Sequence, residues 1–279
     1  MTIRKQSILI ITAVIVAVAL ALVSKTDTVG SAYVDSAFKR ALVSFALARG
    51  LNGVISVAQG TEIAIQPAGV GINFAPGEIL DPVNDLVERF SWIMLLASSS
   101  LGVQRVLLSM SAWQGLLVAV MLVALLLIGA HLFLKPGRWK GRMHSVLGRL
   151  FILLLILRFM MPGIAIANHW VYTTFLQQDY IQASAELEVA KNEIGAINEE
   201  IVAERDTEPD GLIDKAKGWY QQIRSGIDIE ERLAQYGKAA ERISENSIRL
   251  IVVFLMQTLV FPLIFLALVI WWGRTIVGR

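Results

Sequence analysis

The sequence predicts an all-α integral membrane protein with four transmembrane helices, both termini in the cytoplasm, and a long extracytoplasmic antiparallel helical hairpin that continues spans 3 and 4. Of its 279 residues, 55% are apolar and 17% are charged, a composition untypical of a soluble domain. Four stretches of at least 18 residues carry at most one charge each. At about 1.5 Å per residue each can cross a hydrocarbon core of about 30 Å, the first only just. They cover residues 7–24, 113–134, 150–172 and 250–272.

The distribution of charge predicts the orientation of these helices. Segments 1–6, 135–149 and 274–279 contain nine basic residues and no acidic one. All 23 acidic residues lie in the connections 25–111 and 173–249. Short loops rich in Lys and Arg stay in the cytoplasm. We therefore expect a bacterial inner-membrane protein with most of its soluble part outside the cytoplasm, which the absence of cysteine also favours.

Residues 1–24 are predicted to be a retained N-terminal transmembrane anchor. Arg4 and Lys5 precede the apolar run, which is also the pattern of a secretory signal peptide. The run is long for a signal peptide, so the anchor is the preferred interpretation.

Residues 25–112 are predicted to form a smaller extracytoplasmic helical segment. Apolar residues alternate across 61–75 on both sides of a Pro-Ala-Gly turn, which predicts a short β-hairpin. A helix is expected to begin at Asp81, an N-cap residue followed by a proline. Residues 90–110 are apolar enough to be a fifth span, but an odd number of crossings would contradict the charge pattern.

Residues 113–172 are predicted to hold transmembrane helices 2 and 3, joined by the basic cytoplasmic loop 135–149. Residues 250–279 are predicted to hold helix 4 and a short basic tail. Tryptophan favours the headgroup level of a bilayer, and Trp113 and Trp170 fall at predicted outer ends.

Residues 173–249 carry a heptad pattern that predicts a coiled-coil-like helical hairpin. Turn residues at 206–211 separate two arms of similar length, which favours antiparallel pairing within one chain over pairing between chains. Spacings of four and three define a seam at Leu176, Tyr180, Ala183, Leu187, Ala190, Ile194, Ile197 and Ile201, and at Ile229, Leu233, Tyr236, Ala240, Ile243, Ser247 and Leu250.

Arg158 lies within the third predicted span, where an ionisable side chain is a candidate for function as an anion contact, a gate or an interhelical anchor. The preferred alternative is a guanidinium that snorkels to the inner headgroups. Pro162 and Pro262 are candidate kinks near the middle of the membrane, where broken helices line a polar cavity or simply improve packing.

Further polar residues lie in the outer halves of the same two spans. Gln257, Asn168 and His169 are candidates to line a pore or to form hydrogen bonds between helices. In the basic loop, a Lys, Arg and Trp pattern is typical of contact with anionic lipid headgroups as well as of a topology signal. The candidate lipid-contact residues are Lys135, Arg138, Lys140 and Arg142.

No pattern in the sequence indicates catalysis or a cofactor. Cysteine is absent, and the histidines 131, 144 and 169 fall on different elements without the spacing of a zinc site. We therefore predict a protein that is not an enzyme, with no cofactor, no metal and no nucleic-acid partner.

The predicted function is a homo-oligomeric ring that acts as a pore, a channel or a membrane scaffold, with recognition on the extracytoplasmic side. The alternative is an adaptor or assembly factor whose helical hairpin docks another membrane or envelope protein. Expected partners are membrane lipids, further copies of the chain and an extracytoplasmic protein.

Overall fold

The computed structural model describes residues 3–22, 25–60, 63–65, 72–74, 79–133, 138–205 and 212–277. This part of the chain is almost entirely helical, in agreement with the all-α prediction. The elements are α1 (Ile3–Ala21), α2 (Lys25–Gln59), β1 (Ile63–Ile65), β2 (Ile72–Phe74), α3 (Asp81–Ser111), α4 (Gln114–Phe133), α5 (Arg138–Val171), α6 (Gln177–Arg205), α7 (Leu212–Leu255) and α8 (Phe261–Val277). Single π-helical turns join α5 to α6 (Tyr172–Leu176) and α7 to α8 (Met256–Val260).

Several of the helices could cross a membrane. Within the described residues, five helical stretches are long and apolar enough: Asp27–Gln59, Asp81–Ser111, Gln114–Phe133, Gly141–Glu200 and Glu231–Trp271. The last three include or closely match the predicted spans 2, 3 and 4. The predicted first span falls on α1, whose apolar part Ile11–Ala21 is shorter. Length and composition therefore do not separate α2 and α3, predicted outside the membrane, from the predicted spans.

The described helices form two compact units. The first contains Met1–Phe38, Ser99–Thr173 and Thr258–Arg279. Its core joins α1, α4 and α5 through the buried residues Val14, Ala21, Val120, Val123, Ala124, Leu127 and Phe151. Small residues bring other helices close: a Cβ built on Gly30 of α2 would lie 3.3 Å from the Cβ of Ala165 on α5.

The second unit contains Lys39–Ser98 and Thr174–Gln257. Glu193 of α6 pairs with Arg242 of α7 at 2.8 Å, and Glu200 pairs with Arg232 at 3.7 Å, so α6 and α7 run antiparallel. Their contact is built from small and apolar side chains at the heptad positions. Buried seam residues are Ala183, Leu187, Ala190, Ile194 and Ile197 on α6, and Tyr236, Ala240, Ile243, Ser247 and Leu250 on α7.

Two short strands connect α2 to α3. β1 pairs antiparallel with β2 in the register Ile63 with Phe74, Ala64 with Asn73 and Ile65 with Ile72. Both strands fall within 61–75, where the alternation predicts a hairpin, while the predicted turn between them lies outside the described residues. α3 begins at Asp81, which the N-cap pattern predicts, and the Asp81 carboxylate accepts a 2.6 Å hydrogen bond from Gln59 Nε2 at the end of α2.

Candidate functional site: a buried ion pair

The described part of the first unit encloses the charge of Arg158. Its side chain is 2% exposed and meets the carboxylate of Asp27 in a two-pronged arrangement. Nη1 donates to Oδ1 at 2.7 Å and Nη2 donates to Oδ2 at 2.5 Å. A third donor, Nε, lies 3.3 Å from the backbone oxygen of Ala21. The guanidinium therefore contacts the end of α1 and the start of α2 at the same time.

The positions of Ala21 and Asp27 explain why a positive charge is favourable between the end of α1 and the start of α2. Ala21 is the last residue of α1, where backbone carbonyls lack helical partners and the helix dipole is negative. Asp27 lies in the first turn of α2, where a carboxylate favours the positive end of the dipole. Arg158 of α5 thus complements two helix ends, and a planar guanidinium suits both acceptors because its donors form a fixed fork.

The enclosed guanidinium connects α5 with the end of α1 and the start of α2. A buried charge is costly unless it is paired and hydrogen-bonded. Here the Asp27 carboxylate pairs with the guanidinium, and the Ala21 oxygen accepts a further hydrogen bond.

The predicted kinks lie on the helices expected to carry them. Pro162 is buried inside α5, and Pro262 is the second residue of α8, directly after the π-helical turn Met256–Val260. A proline removes a backbone donor and crowds the preceding turn, which accounts for an irregular turn just before Pro262. Next to Pro162, a Cβ built on Gly163 would lie 3.1 Å from Cζ of Phe265, so α5 and α8 approach closely here.

The other polar candidates do not join the ion pair in one site. Asn168 is buried in the first unit, and Gln257 is buried in the π-helical turn of the second. The exposed His169 packs its ring against Tyr33, with centroids 5.3 Å apart. Asn168 and Gln257 are therefore enclosed by protein, whereas His169 is exposed and contacts Tyr33. A role of these residues in a pore or between helices stays a prediction.

The basic loop is described in part. Lys135 lies outside the described residues, and Arg138 and Lys140 belong to the first turn of α5. Arg142, one turn further along, is exposed. Lipid contact by this loop stays a prediction.

A second buried polar network lies in the other unit. The hydroxyl of Tyr236 donates to Asn198 Oδ1 at 2.9 Å, and Asn198 Nδ2 donates to the backbone oxygen of Val54 at 2.8 Å. This chain of bonds ties α7, α6 and α2 together. Burial raises the pKa of Tyr236 to about 12, although the nearby Arg232 charge opposes the rise.

A related cluster surrounds Tyr180 of α6. Its ring meets the edge of Phe254 of α7 at 6.1 Å, and the Arg40 guanidinium lies 5.9 Å from the ring centroid. Burial raises the pKa of Tyr180, against the opposing effects of the neighbouring Ser44 hydroxyl and the charge of Arg40. Both tyrosines are therefore neutral hydrogen-bonding groups near pH 7.

Two pairs of residues that meet in the structure were not predicted from the sequence. Nothing in the sequence marks Asp27 as the partner of Arg158, 131 residues away. The rings of His131 on α4 and His144 on α5 lie 5.3 Å apart, although the two residues have no helical spacing. Their positions near the facing ends of two helices joined by a short loop are the only signal that could have indicated this pair.

Comparisons with known proteins add no assignment: no protein-family model, curated protein or solved structure matches this chain.

Proposed function

We propose that the chain is a non-enzymatic integral membrane protein that self-assembles into a homo-oligomeric scaffold and presents its recognition surface outside the cytoplasm. The observation that carries this proposal is an exposed apolar stripe along α3. It lies on a helix predicted outside the membrane, and its apolar side chains are more than half exposed.

The stripe on α3 has the spacing of a helix-packing seam. Within the first unit its positions alternate in steps of four and three: Ser99, Val103, Val106, Met110 and Trp113, the last directly after the helix. The four apolar members are 58–68% exposed. A strip of this spacing is what one helix offers to another. The opposite face of this part of α3 is buried at Leu101 and Leu108.

A second copy of the chain is the occupant that the stripe fits. Between Ser99 and Trp113 the only ionisable residue is Arg105, which pairs with Asp35 of α2 at 2.7 Å. The stripe therefore offers no charge for a charged partner to recognise. A neutral apolar seam can be buried by packing against another such seam, and a second copy of the chain carries the same seam.

The ion pair favours a scaffold over a pore. A pore lined by Arg158 needs the guanidinium to face water, whereas here it is enclosed and bonded to Asp27. Removing it from that carboxylate would leave two buried charges unpaired. We therefore propose that Arg158 stabilises the subunit and does not line a conduction path.

One observation favours the adaptor as a second candidate function. On the outer face of α6, exposed apolar positions recur at every fourth residue through Ile181, Ala185 and Val189. Such a row suits a helix of another protein. It is shorter than the stripe on α3, so self-assembly is the first proposal.

Native mass spectrometry in mild detergent tests the scaffold. The wild-type chain should form particles of two or more subunits, and Val103→Glu and Met110→Glu should each release monomers, because a buried charge disrupts an apolar seam. Ser109→Glu is the matched control, since Ser109 is exposed on α3 beside the stripe. A monomeric wild-type chain, or particles unaffected by both glutamates, would overturn the proposal.

A second measurement separates a subunit contact from contact with lipid. A single cysteine at Val103 is treated with a membrane-impermeant maleimide in spheroplasts, alone and together with Met110→Glu. If subunits cover the stripe, the monomeric variant should be labelled more rapidly. If lipid covers it, neither form should react.

A further inference from the structure

We propose that His131 and His144 form a binding site for a divalent transition-metal ion of the Zn²⁺ or Ni²⁺ class. The two residues lie on α4 and α5, towards the C-terminal end of α4 and the N-terminal end of α5. Their ring centroids are 5.3 Å apart and the ring planes are inclined by 44°. Both side chains belong to the first unit, so the site lies within one compact part of the chain.

The separation of the rings fits two imidazoles on one ion. A zinc–nitrogen bond of about 2.0–2.1 Å places the ion about 3.2 Å from the centroid of each ring. With centroids 5.3 Å apart, an ion bound by one nitrogen of each ring would have an angle of about 110° between its two bonds, the value of a tetrahedral site. A linear arrangement would need the centroids about 6.4 Å apart.

A buried nitrogen supports the same assignment. Nδ1 of His144 is inaccessible to solvent and has no hydrogen-bond partner among the described residues. A buried polar atom without a partner is destabilising, and a metal ion would satisfy it. Imidazole nitrogen is a preferred ligand of zinc, nickel and copper, whereas calcium and magnesium prefer oxygen.

The protein supplies two ligands in this site. Within the described residues, no cluster of three or more His, Asp or Glu side chains is placed to hold a metal ion. Water molecules would therefore complete the coordination, and the ion would join the ends of α4 and α5 without a catalytic role. This inference is independent of the scaffold proposal, because both ligands come from one chain.

Isothermal titration calorimetry tests the site directly. The protein is purified without a histidine tag, stripped with EDTA in detergent and titrated with Zn²⁺ or Ni²⁺. We expect one saturable site per chain, weakened at least tenfold by His131→Gln and by His144→Gln. His169→Gln is the matched control, because His169 packs against Tyr33 and should leave the affinity unchanged.

A measurement on the wild-type chain covers the case in which a variant fails to fold. Diethylpyrocarbonate modifies accessible histidines, and mass spectrometry assigns the modified residue. Zn²⁺ should slow modification of His131 and His144 and leave His169 unaffected. No binding by the wild-type chain, affinity that survives either glutamine substitution in a folded protein, or equal protection of all three histidines would overturn the proposal.

Discussion

Arg158 of α5 binds Asp27 of α2 through two parallel hydrogen bonds of 2.7 and 2.5 Å, and its third contact is the terminal carbonyl of α1. One side chain thereby holds three helices at a single point. Because the guanidinium is enclosed, removing the Arg158 side chain would leave Asp27 without a counter-charge and would leave a cavity in the first unit.

Arg158→Ala should lower the free energy of unfolding by about 3–5 kcal/mol, the usual loss when one partner of a buried ion pair is removed. Asp27→Asn should also destabilise the protein. The double variant Arg158→Met with Asp27→Leu should recover most of the loss, since no charge is then left unpaired. Denaturant unfolding in detergent micelles measures all three. Equal stability of wild type and Arg158→Ala would contradict the anchor.

Tyr236→Phe should destabilise the second unit by about 1–3 kcal/mol, because it leaves the buried Oδ1 of Asn198 without its donor. Hydrogen exchange around Asn198 on α6 and Val54 on α2 should accelerate more than exchange in the first unit. Tyr172→Phe is the control for loss of a hydroxyl elsewhere, and it should leave exchange at α6 unchanged.

The raised pKa of Tyr236 predicts that its contribution to the stability of the fold depends on pH. An ordinary tyrosine deprotonates near pH 10, but burial holds the proton of folded Tyr236 up to about pH 12. Its contribution to stability is therefore complete below pH 10 and is lost as the pH rises towards 12, where unfolding releases the proton. The difference in Tm between wild type and Tyr236→Phe should narrow over this interval. A difference that stays constant up to pH 12 would show that Tyr236 titrates normally.

Paired cysteines can test the contact between α6 and α7. Glu193→Cys combined with Arg242→Cys should be joined by a short bis-maleimide crosslinker, because the two natural side chains meet in the described structure. Glu193→Cys with Arg232→Cys should not, since Arg232 lies nearly three helical turns away on α7. The natural chain has no cysteine, so there is no background. Gel electrophoresis then distinguishes a crosslink within one chain from a crosslinked dimer.

Gly163→Leu should destabilise the first unit, because even a Cβ at this position lies 3.1 Å from the Phe265 ring. Gly129→Leu on α4 is the control, since nothing lies within 4 Å of a Cβ built there. Thermal unfolding should show a lower Tm for Gly163→Leu than for Gly129→Leu. Adding Phe265→Ala should restore part of the loss by making room for the leucine.

The parts of the structure that sequence patterns predict well are those set by helical periodicity. Spacings of four and three select Leu187 and Ile194 on α6, and Ile243 and Leu250 on α7, and these side chains are fully buried. A regular helix places such residues on one face whatever its partner is, so local sequence is sufficient.

The partners of the charged and polar residues could not be predicted in the same way. Arg158 is conspicuous because it stands in an apolar run, but the choice of Asp27 among 23 acidic residues depends on tertiary packing. The same holds for the His131 and His144 pair, which meets only once α4 and α5 are packed together. The pattern within one helix shows which face is buried, but it does not identify the residue on another helix that a polar side chain contacts.

Because the two residues of the ion pair are far apart in sequence, the pair can form only late in the synthesis of the chain. Asp27 is made 131 residues before Arg158, and at translation rates of 5–20 residues per second this delay is on the order of 10 s. Throughout that time the junction of α1 and α2 lacks its counter-charge. The N-terminal part of the chain therefore reaches its final form only after α5 has been synthesised and has arrived beside it.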